Sequence, residues 1–184
     1  MKAMVQMSKI KIRKEFKQLR DNLCAESVIS LSTAINENLI KQDEYMQATK
    51  IGCYYPINNE VIIKIKDDKE YYYPKIKGEK LGFFKHSKNF RTNQYGIKEP
   101  LDSKSLPLNE IDIFLVPLIA FNDELFRVGY GGGFYDKTFS CFREKDDRPL
   151  LIGLSYDFLK TNEHFQSLHD VRLNKVVTDK GVYV

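Results

Sequence analysis

The chain has 184 residues, 42% hydrophobic and 29% charged, a balance that suits one folded domain and excludes a disordered chain. Its longest apolar run, residues 113–121, is broken by Pro117. It falls far short of the roughly 20 residues a membrane helix needs, and the lysine-bearing start has no apolar secretion core. The net charge of +4 is uneven: residues 1–20 carry seven basic residues against Glu15 alone, which leaves −2 for the rest and points to a local anion partner.

In chain order, Ile12, Phe16, Leu19 and Leu23 make one helical stripe, so residues 1–24 are expected to form a basic N-terminal helix. Lys9, Lys14, Lys17 and Arg20 lie mostly off that stripe, towards solvent or a ligand. A second helix starts near Ser27, with Val28, Leu31, Ile35 and Leu39 inward. Residues 51–55 read as a buried strand, ended by Pro56 and the turn at Asn58 and Asn59. A short helix is expected within 61–68. Residues 71–73 and 81–84 read as strands of a mixed sheet with Gly78 in the turn between them, and 94–109 as a surface loop.

Residues 111–116 form the clearest strand, a helix begins around Phe134, and 150–155, 176–177 and 182–184 complete the strands. Helices alternating with short apolar strands imply a three-layer α/β/α sandwich with a mostly parallel central sheet. Cys24, Cys53 and Cys141 are odd in number and widely spaced, which argues against a disulfide framework or a zinc site and for a reducing cytoplasm.

Chemistry concentrates in residues 127–136. Gly129, Gly131, Gly132 and Gly133, four of the chain's ten glycines, fall within five positions. Backbone without side chains can approach a phosphate and turn its N–H groups into an anion nest, and a following helix adds positive potential. Neither the P-loop nor the dinucleotide fingerprint is present: Phe134 stands where a third fingerprint glycine belongs. A tight packing turn is the alternative.

Asp136 is either a ligand for Mg²⁺ or an acidic residue favourable in a first helical turn. Lys9 and Arg13 share a helix face, as a phosphate grip or a solvated basic face. Glu60, close to Tyr55, either reads N–H groups of a stacked flat heterocycle or simply starts a helix. His169 and Asp170 form a catalytic or metal pair or a surface loop. No catalytic triad is evident.

Taken together these features resemble the 5-formyltetrahydrofolate cyclo-ligase family. Its hallmark is a strand ending in Pro and an apolar stretch closing on Phe-Asp/Asn. Arg-Leu-Gly-x-Gly-Lys/Gly-Gly-Tyr-Tyr-Asp then follows. Here residues 116–122 read Val-Pro-Leu-Ile-Ala-Phe-Asn, followed by residues 127–136. Lys9, Arg13 and Arg20 match its N-terminal basic pattern, Pro56 and Glu60 its central Pro-x-x-x-Glu, and His169-Asp170-Val171 its late motif.

The resemblance implies ATP- and Mg²⁺-dependent conversion of 5-formyltetrahydrofolate to 5,10-methenyltetrahydrofolate, with ADP and phosphate released. The route is an iminophosphate attacked by the folate's own N10, without an enzyme nucleophile. By the same resemblance Lys9, Arg13, Arg127, Val128, Gly129, Tyr130, Gly131, Gly132, Gly133, Phe134 and Tyr135 contact ATP. Tyr55 and Glu60 contact the folate, with Phe134 and Tyr135 at the junction of the ligands. Asp136 and Asp170 hold the metal, and Arg13 and Arg127 neutralise transferred charge. No nucleic-acid or membrane partner is expected. Val128 and Phe134 replace the family's usual Leu and Tyr, Gly132 stands where many members carry Lys, and Asn174 where Asp is frequent.

Overall fold

The computed structural model describes residues 2–86, 89–94, 96–101, 104–143 and 148–184, and side chains from residue 8 onward. The helices are α1 (Lys2–Asp21), α2 (Ala25–Leu39), α3 (Asp43–Gln47) and α4 (Phe134–Phe139). The strands are β1 (Lys50–Gly52), β2 (Glu70–Lys77), β3 (Lys80–Lys85), β4 (Phe90–Thr92), β5 (Lys98–Pro100), β6 (Ile113–Pro117), β7 (Ala120–Asn122), β8 (Arg127–Val128), β9 (Leu150–Leu154), β10 (Lys160–Thr161), β11 (Lys175–Val177) and β12 (Val182–Tyr183).

Seven strands form the main sheet in the order β12-β11-β9-β6-β1-β2-β3. Its interior pairs are parallel and its two edge pairs, β2–β3 and β11–β12, antiparallel. Side chains alternate across each strand, so the two faces feed separate cores. Ile113 and Leu115 of β6, Ile152 and Leu154 of β9 and Tyr71 and Tyr73 of β2 pack with Ile35 and Leu39 of α2. Phe114, Val116, Leu151 and Tyr72 point the other way, to Phe139 of α4 and Phe142. This is the three-layer α/β/α arrangement, with near-continuous apolar strands because both faces are covered. No helix among the described residues is long and apolar enough to cross a membrane.

Several expectations change. Residues 61–66 are extended, not helical: Val61 and Ile63 are buried while Ile62 and Ile65 are exposed. Side chains of α2 supply the partners a sheet would. Ser32 Oγ accepts from the Ile62 N–H, Asn36 Oδ1 accepts from the Lys64 N–H, and Asn36 Nδ2 donates to the Ile62 carbonyl. The β-branched run Val61-Ile62-Ile63 suits that conformation better than a helix.

The stretch 94–109, read as a loop, includes β5, which pairs with β4, and a 3-10 turn at Leu108–Glu110; Tyr95, Asp102 and Ser103 lie outside the described residues. Glu99 of β5 is buried and accepts from the Ile76 N–H at 3.0 Å, a tertiary anchor that local periodicity does not reveal. The inward stripe on α1 is also rotated. Ile12 is buried, but Leu19 is exposed and Arg20 is 1% exposed.

Close packing dictates one glycine in the sheet. A Cβ at Gly52 of β1 would lie 2.3 Å from Phe114 Cδ1. The Phe114 ring cannot retreat easily, because Phe83 and Phe139 each sit 4.8 Å from it, centroid to centroid. Gly52→Ala is therefore expected to cost ~1–3 kcal/mol through overpacking, seen as a lower urea midpoint with unchanged m-value.

Candidate active site

The glycine loop reaches its place by a detour. After β6 the chain turns into the β7–β8 hairpin, in which Leu125 takes a positive φ of 62°. The Ile119 N–H donates to the Val128 carbonyl at 2.8 Å, which returns the chain to the exit of β6. Gly129 thus starts beside the carboxyl ends of the parallel strands, the place where ligands of open α/β sheets bind. Gly131 (φ +104°) and Gly133 (φ +68°) then adopt backbone conformations that other residues rarely take. The following helix, α4, has six residues, so its dipole adds less than expected and anion attraction falls to the loop amides and nearby cations.

Helix α1 closes the loop from outside. Ile12 packs with Ala120, Val128 and Phe165, which sets α1 on the β7–β8 hairpin. Arg13 Nε then donates to the Gly129 carbonyl at 2.7 Å, and its guanidinium rests on Gly131, where a Cβ would sit 3.4 Å from Arg13 Cζ. Partial burial lowers the Arg13 pKa, so an anion at this point would replace water the guanidinium has lost. One turn earlier, Lys9 forms an ion pair with Asp170 Oδ2, which also accepts from the N–H and Oγ of Ser167.

Arg127, expected to face phosphate, is buried and committed. Nη1 donates to the Val171 carbonyl at 3.2 Å and Nη2 to Asp136 Oδ1 at 3.1 Å. Asp136 Oδ1 also accepts from the Val171 N–H. Asp136 and the residue after Asp170 are thereby tied together. Asp136 Oδ2 and Asp170 Oδ1 carry no hydrogen bond among the described residues, so each carboxylate keeps one oxygen uncommitted. No group of three acidic, His or Cys side chains gathers among the described residues. Two carboxylates suit Mg²⁺, which takes its other ligands from phosphate and water.

Gly132 and Phe134 belong together. A Cβ at position 132 would lie 2.8 Å from Phe134 Cε2, so the ring occupies the space where a larger residue would begin. Asn174 is explained as well: its Oδ1 accepts from the Leu151 N–H at 3.0 Å, a role that needs only an acceptor.

The turn that follows β1 also lines the cavity. Asn58 and Asn59 both take positive φ, 47° and 59°, conformations Asn tolerates better than most residues. Asn59 Nδ2 ties the turn to the Leu23 carbonyl at 3.0 Å, beyond the end of α1. Tyr55 stacks on Tyr73, centroids 4.0 Å apart, so one face of its ring is taken. The Tyr55 hydroxyl is buried with no hydrogen-bond partner among the described residues. Glu60 is 5% exposed; Oε2 accepts from the Ile57 N–H at 3.1 Å and Oε1 lies 3.9 Å from Arg20 Nη1. Burial pushes the Glu60 carboxyl up to about 7, and the nearby Arg20 charge opposes the rise.

These groups line one cavity of about 690 Å³, within the ~300–1,000 Å³ of small-molecule sites. Lys9, Arg13, residues 127–136 and Asp170 line it together with Tyr55 and Glu60. Ile76, Leu81, Ile97 and Glu99 also line it; the sequence offered no signal for Glu99, which stands between Lys98 and Pro100.

A glycine-rich loop at the carboxyl ends of parallel strands, opening into a cavity of mixed polarity, is the build of an α/β enzyme acting on a small molecule. The model of the 5-formyltetrahydrofolate cyclo-ligase family matches residues 5–179. The chain is 33% identical over 162 residues to a 5-formyltetrahydrofolate cyclo-ligase of Haemophilus influenzae, a match covering 79% of this chain and 83% of that protein. A second, from Mycoplasma pneumoniae, is 28% identical over 183 residues, covering 95% of this chain and 100% of the relative.

Among solved structures, a 5,10-methenyltetrahydrofolate synthetase from Mycoplasma pneumoniae aligns with a TM-score of 0.74 at 25% identity, covering 93% of this chain and 98% of that one. One from Aquifex aeolicus aligns with a TM-score of 0.78 at 26% identity, covering 95% and 91%. The chain belongs to the 5-formyltetrahydrofolate cyclo-ligase family and is an enzyme of that ligase class.

Burial of Glu60 has a consequence for stability. The folded protein holds its proton up to about pH 7, whereas an unfolded glutamate loses it near 4.5. The folded state therefore gains from this group at low pH, and the gain is lost as pH rises through about 7. Between pH 5 and 8 the wild type is expected to lose on the order of 2–3 kcal/mol relative to Glu60→Gln, measured by urea unfolding of both proteins at both pH values.

Proposed function

We propose that this chain uses ATP and Mg²⁺ to convert 5-formyltetrahydrofolate into 5,10-methenyltetrahydrofolate, releasing ADP and phosphate. The observation that carries the reading is the joining of two chemistries in one cavity. Lys9, Arg13 and the glycine loop line it together with Tyr55 and Glu60. A nucleic-acid reading of the basic N-terminus is weaker because Lys9, Arg13 and Arg20 all turn inward to Asp170, Gly129 and Leu118. Three free thiols suit a reducing cytoplasm, which we infer as the working compartment.

The formyl oxygen is an amide oxygen and a poor leaving group. Transfer of the γ-phosphoryl group breaks its bond to the ADP oxygen and makes a new one to the formyl oxygen. N10 then attacks the formyl carbon and loses its proton, and the former formyl oxygen departs as part of phosphate. No enzyme nucleophile is needed. Catalysis is positioning and charge neutralisation. Arg13 and Lys9 supply charge at the phosphate end, the Arg127 ion pair fixes Asp136, and loop amides approach the phosphates where glycines leave room. Asp136 and Asp170 would hold Mg²⁺, which supplies charge neutralisation on the phosphates.

Tyr55 offers one open ring face to the heterocycle, and Glu60 accepts N–H groups of the folate. A rise in KM alone for Glu60→Gln would mark a pterin contact; a fall in kcat would mark acceptance of the N10 proton. The direct test mixes protein, 5-formyltetrahydrofolate, Mg²⁺ and ATP and follows the near-ultraviolet band of the methenyl product. A rise that depends on ATP is expected; none from well-folded protein overturns the reading. Arg13→Ala and Asp136→Asn should each slow turnover by at least ~10²-fold, the usual scale for losing one preorganised charge. Near-normal rates in both folded variants would remove these assignments.

A further inference from the structure

Arg20 does not line the cavity, yet it is among the most buried large side chains of the molecule. Its Nη1 donates to the Leu118 carbonyl at 3.0 Å, just beyond β6, and its Nη2 donates to the Tyr130 hydroxyl in the glycine loop. The guanidinium also lies 5.5 Å from the Tyr130 ring centroid and 3.9 Å from Glu60 Oε1. Its Nε has no hydrogen-bond partner among the described residues. Asn58 brings the folate-side turn to the same point, donating to the Tyr130 hydroxyl at 3.4 Å.

We propose that Arg20 is a positioning residue for the folate site: it favours the anionic form of Glu60 at the cavity wall and couples that carboxylate to Tyr130 of the phosphate loop. The proposal rests on the folate role given above to Glu60. The groups that face Glu60 are Arg20 from α1, Tyr54 after β1, Tyr130 from the loop, Tyr135 from α4 and Tyr156 after β9. Arg20 is the one cation among these named groups. Burial raises the pKa of each of the four tyrosines, so near neutral pH they are polar neighbours and carry no compensating charge.

A carboxylate left in this setting without Arg20 escapes burial of an unpaired charge by taking up a proton. The protonated form no longer accepts at both oxygens, so it serves a heterocycle's N–H groups poorly. The resulting defect is one of protonation and recovers as pH rises, unlike a defect of packing.

The test follows the Glu60 carboxyl directly by infrared difference spectroscopy, with Glu60→Gln subtracted to isolate its band. Arg20→Gln keeps donors for Leu118 and Tyr130 but removes the charge. It is expected to move the Glu60 midpoint upward by at least one pH unit, a tenfold gain in proton affinity. The 5-formyltetrahydrofolate affinity it loses near pH 6.5 should be largely regained by about pH 9. Arg20→Lys restores the charge and should return the midpoint to within about half a unit of wild type. A midpoint unmoved in Arg20→Gln, or a binding loss that is flat with pH, overturns the proposal.

Should Arg20→Gln unfold, the double variant with Glu60→Gln decides. Recovery of stability when both charges are removed supports the pairing, and additive losses refute it. Absence of methenyl product from the wild type would remove the folate reading while leaving the titration result intact. A wild-type midpoint in Arg20→Gln would remove the Arg20 inference while leaving turnover intact.

Discussion

The site depends on how α1 is held against the rest of the fold. Lys9, Arg13 and Arg20 are spaced by four and seven residues, so they form one row along the helix. Each member reaches a different piece of chain: the 167–170 turn through Asp170, the glycine loop through Gly129, and the end of β6 through Leu118. Three segments far apart in sequence are thus fixed relative to a single helix. The apolar contacts of Ile12 with Ala120, Val128 and Phe165 set the depth of docking, and the cations set its register.

That arrangement gives the buried ion pairs a purpose that stability alone does not explain. Burying a charge costs more than an apolar residue of similar size, and an isolated pair barely offsets the cost. Here each pair orients something that faces the cavity. Arg127 holds Asp136 so that one carboxylate oxygen remains uncommitted. Arg20 holds Glu60 and Tyr130 from behind the cavity wall.

Local sequence made some of this legible. The strand at 113–117, the helix starting at Phe134 and the turn at Gly78 follow from apolar runs and from glycine's freedom at positive φ. The glycine cluster and the Lys9–Arg13 spacing marked residues that line the cavity. Residues 61–66 did not reveal themselves, because their N–H and carbonyl partners come from Ser32 and Asn36 of α2. Glu99 was hidden for the same kind of reason, since its anchor is a backbone N–H of β2. Leu19 and Arg20 exchanged their expected places because the buried side of α1 is chosen by what it docks against, not by its own apolar stripe.

By itself the sequence determined the layer type, the glycine loop and the residue kinds able to handle phosphate, since periodicity and backbone freedom are properties of neighbouring residues. Only the tertiary structure decided which partner each charge meets. Arg127 donates to Asp136 and Val171, Lys9 is paired with Asp170 at the cavity lining, and Arg20 is buried behind Glu60. The reason is physical: these partners lie far apart in sequence, and only the fold brings them within reach of one another.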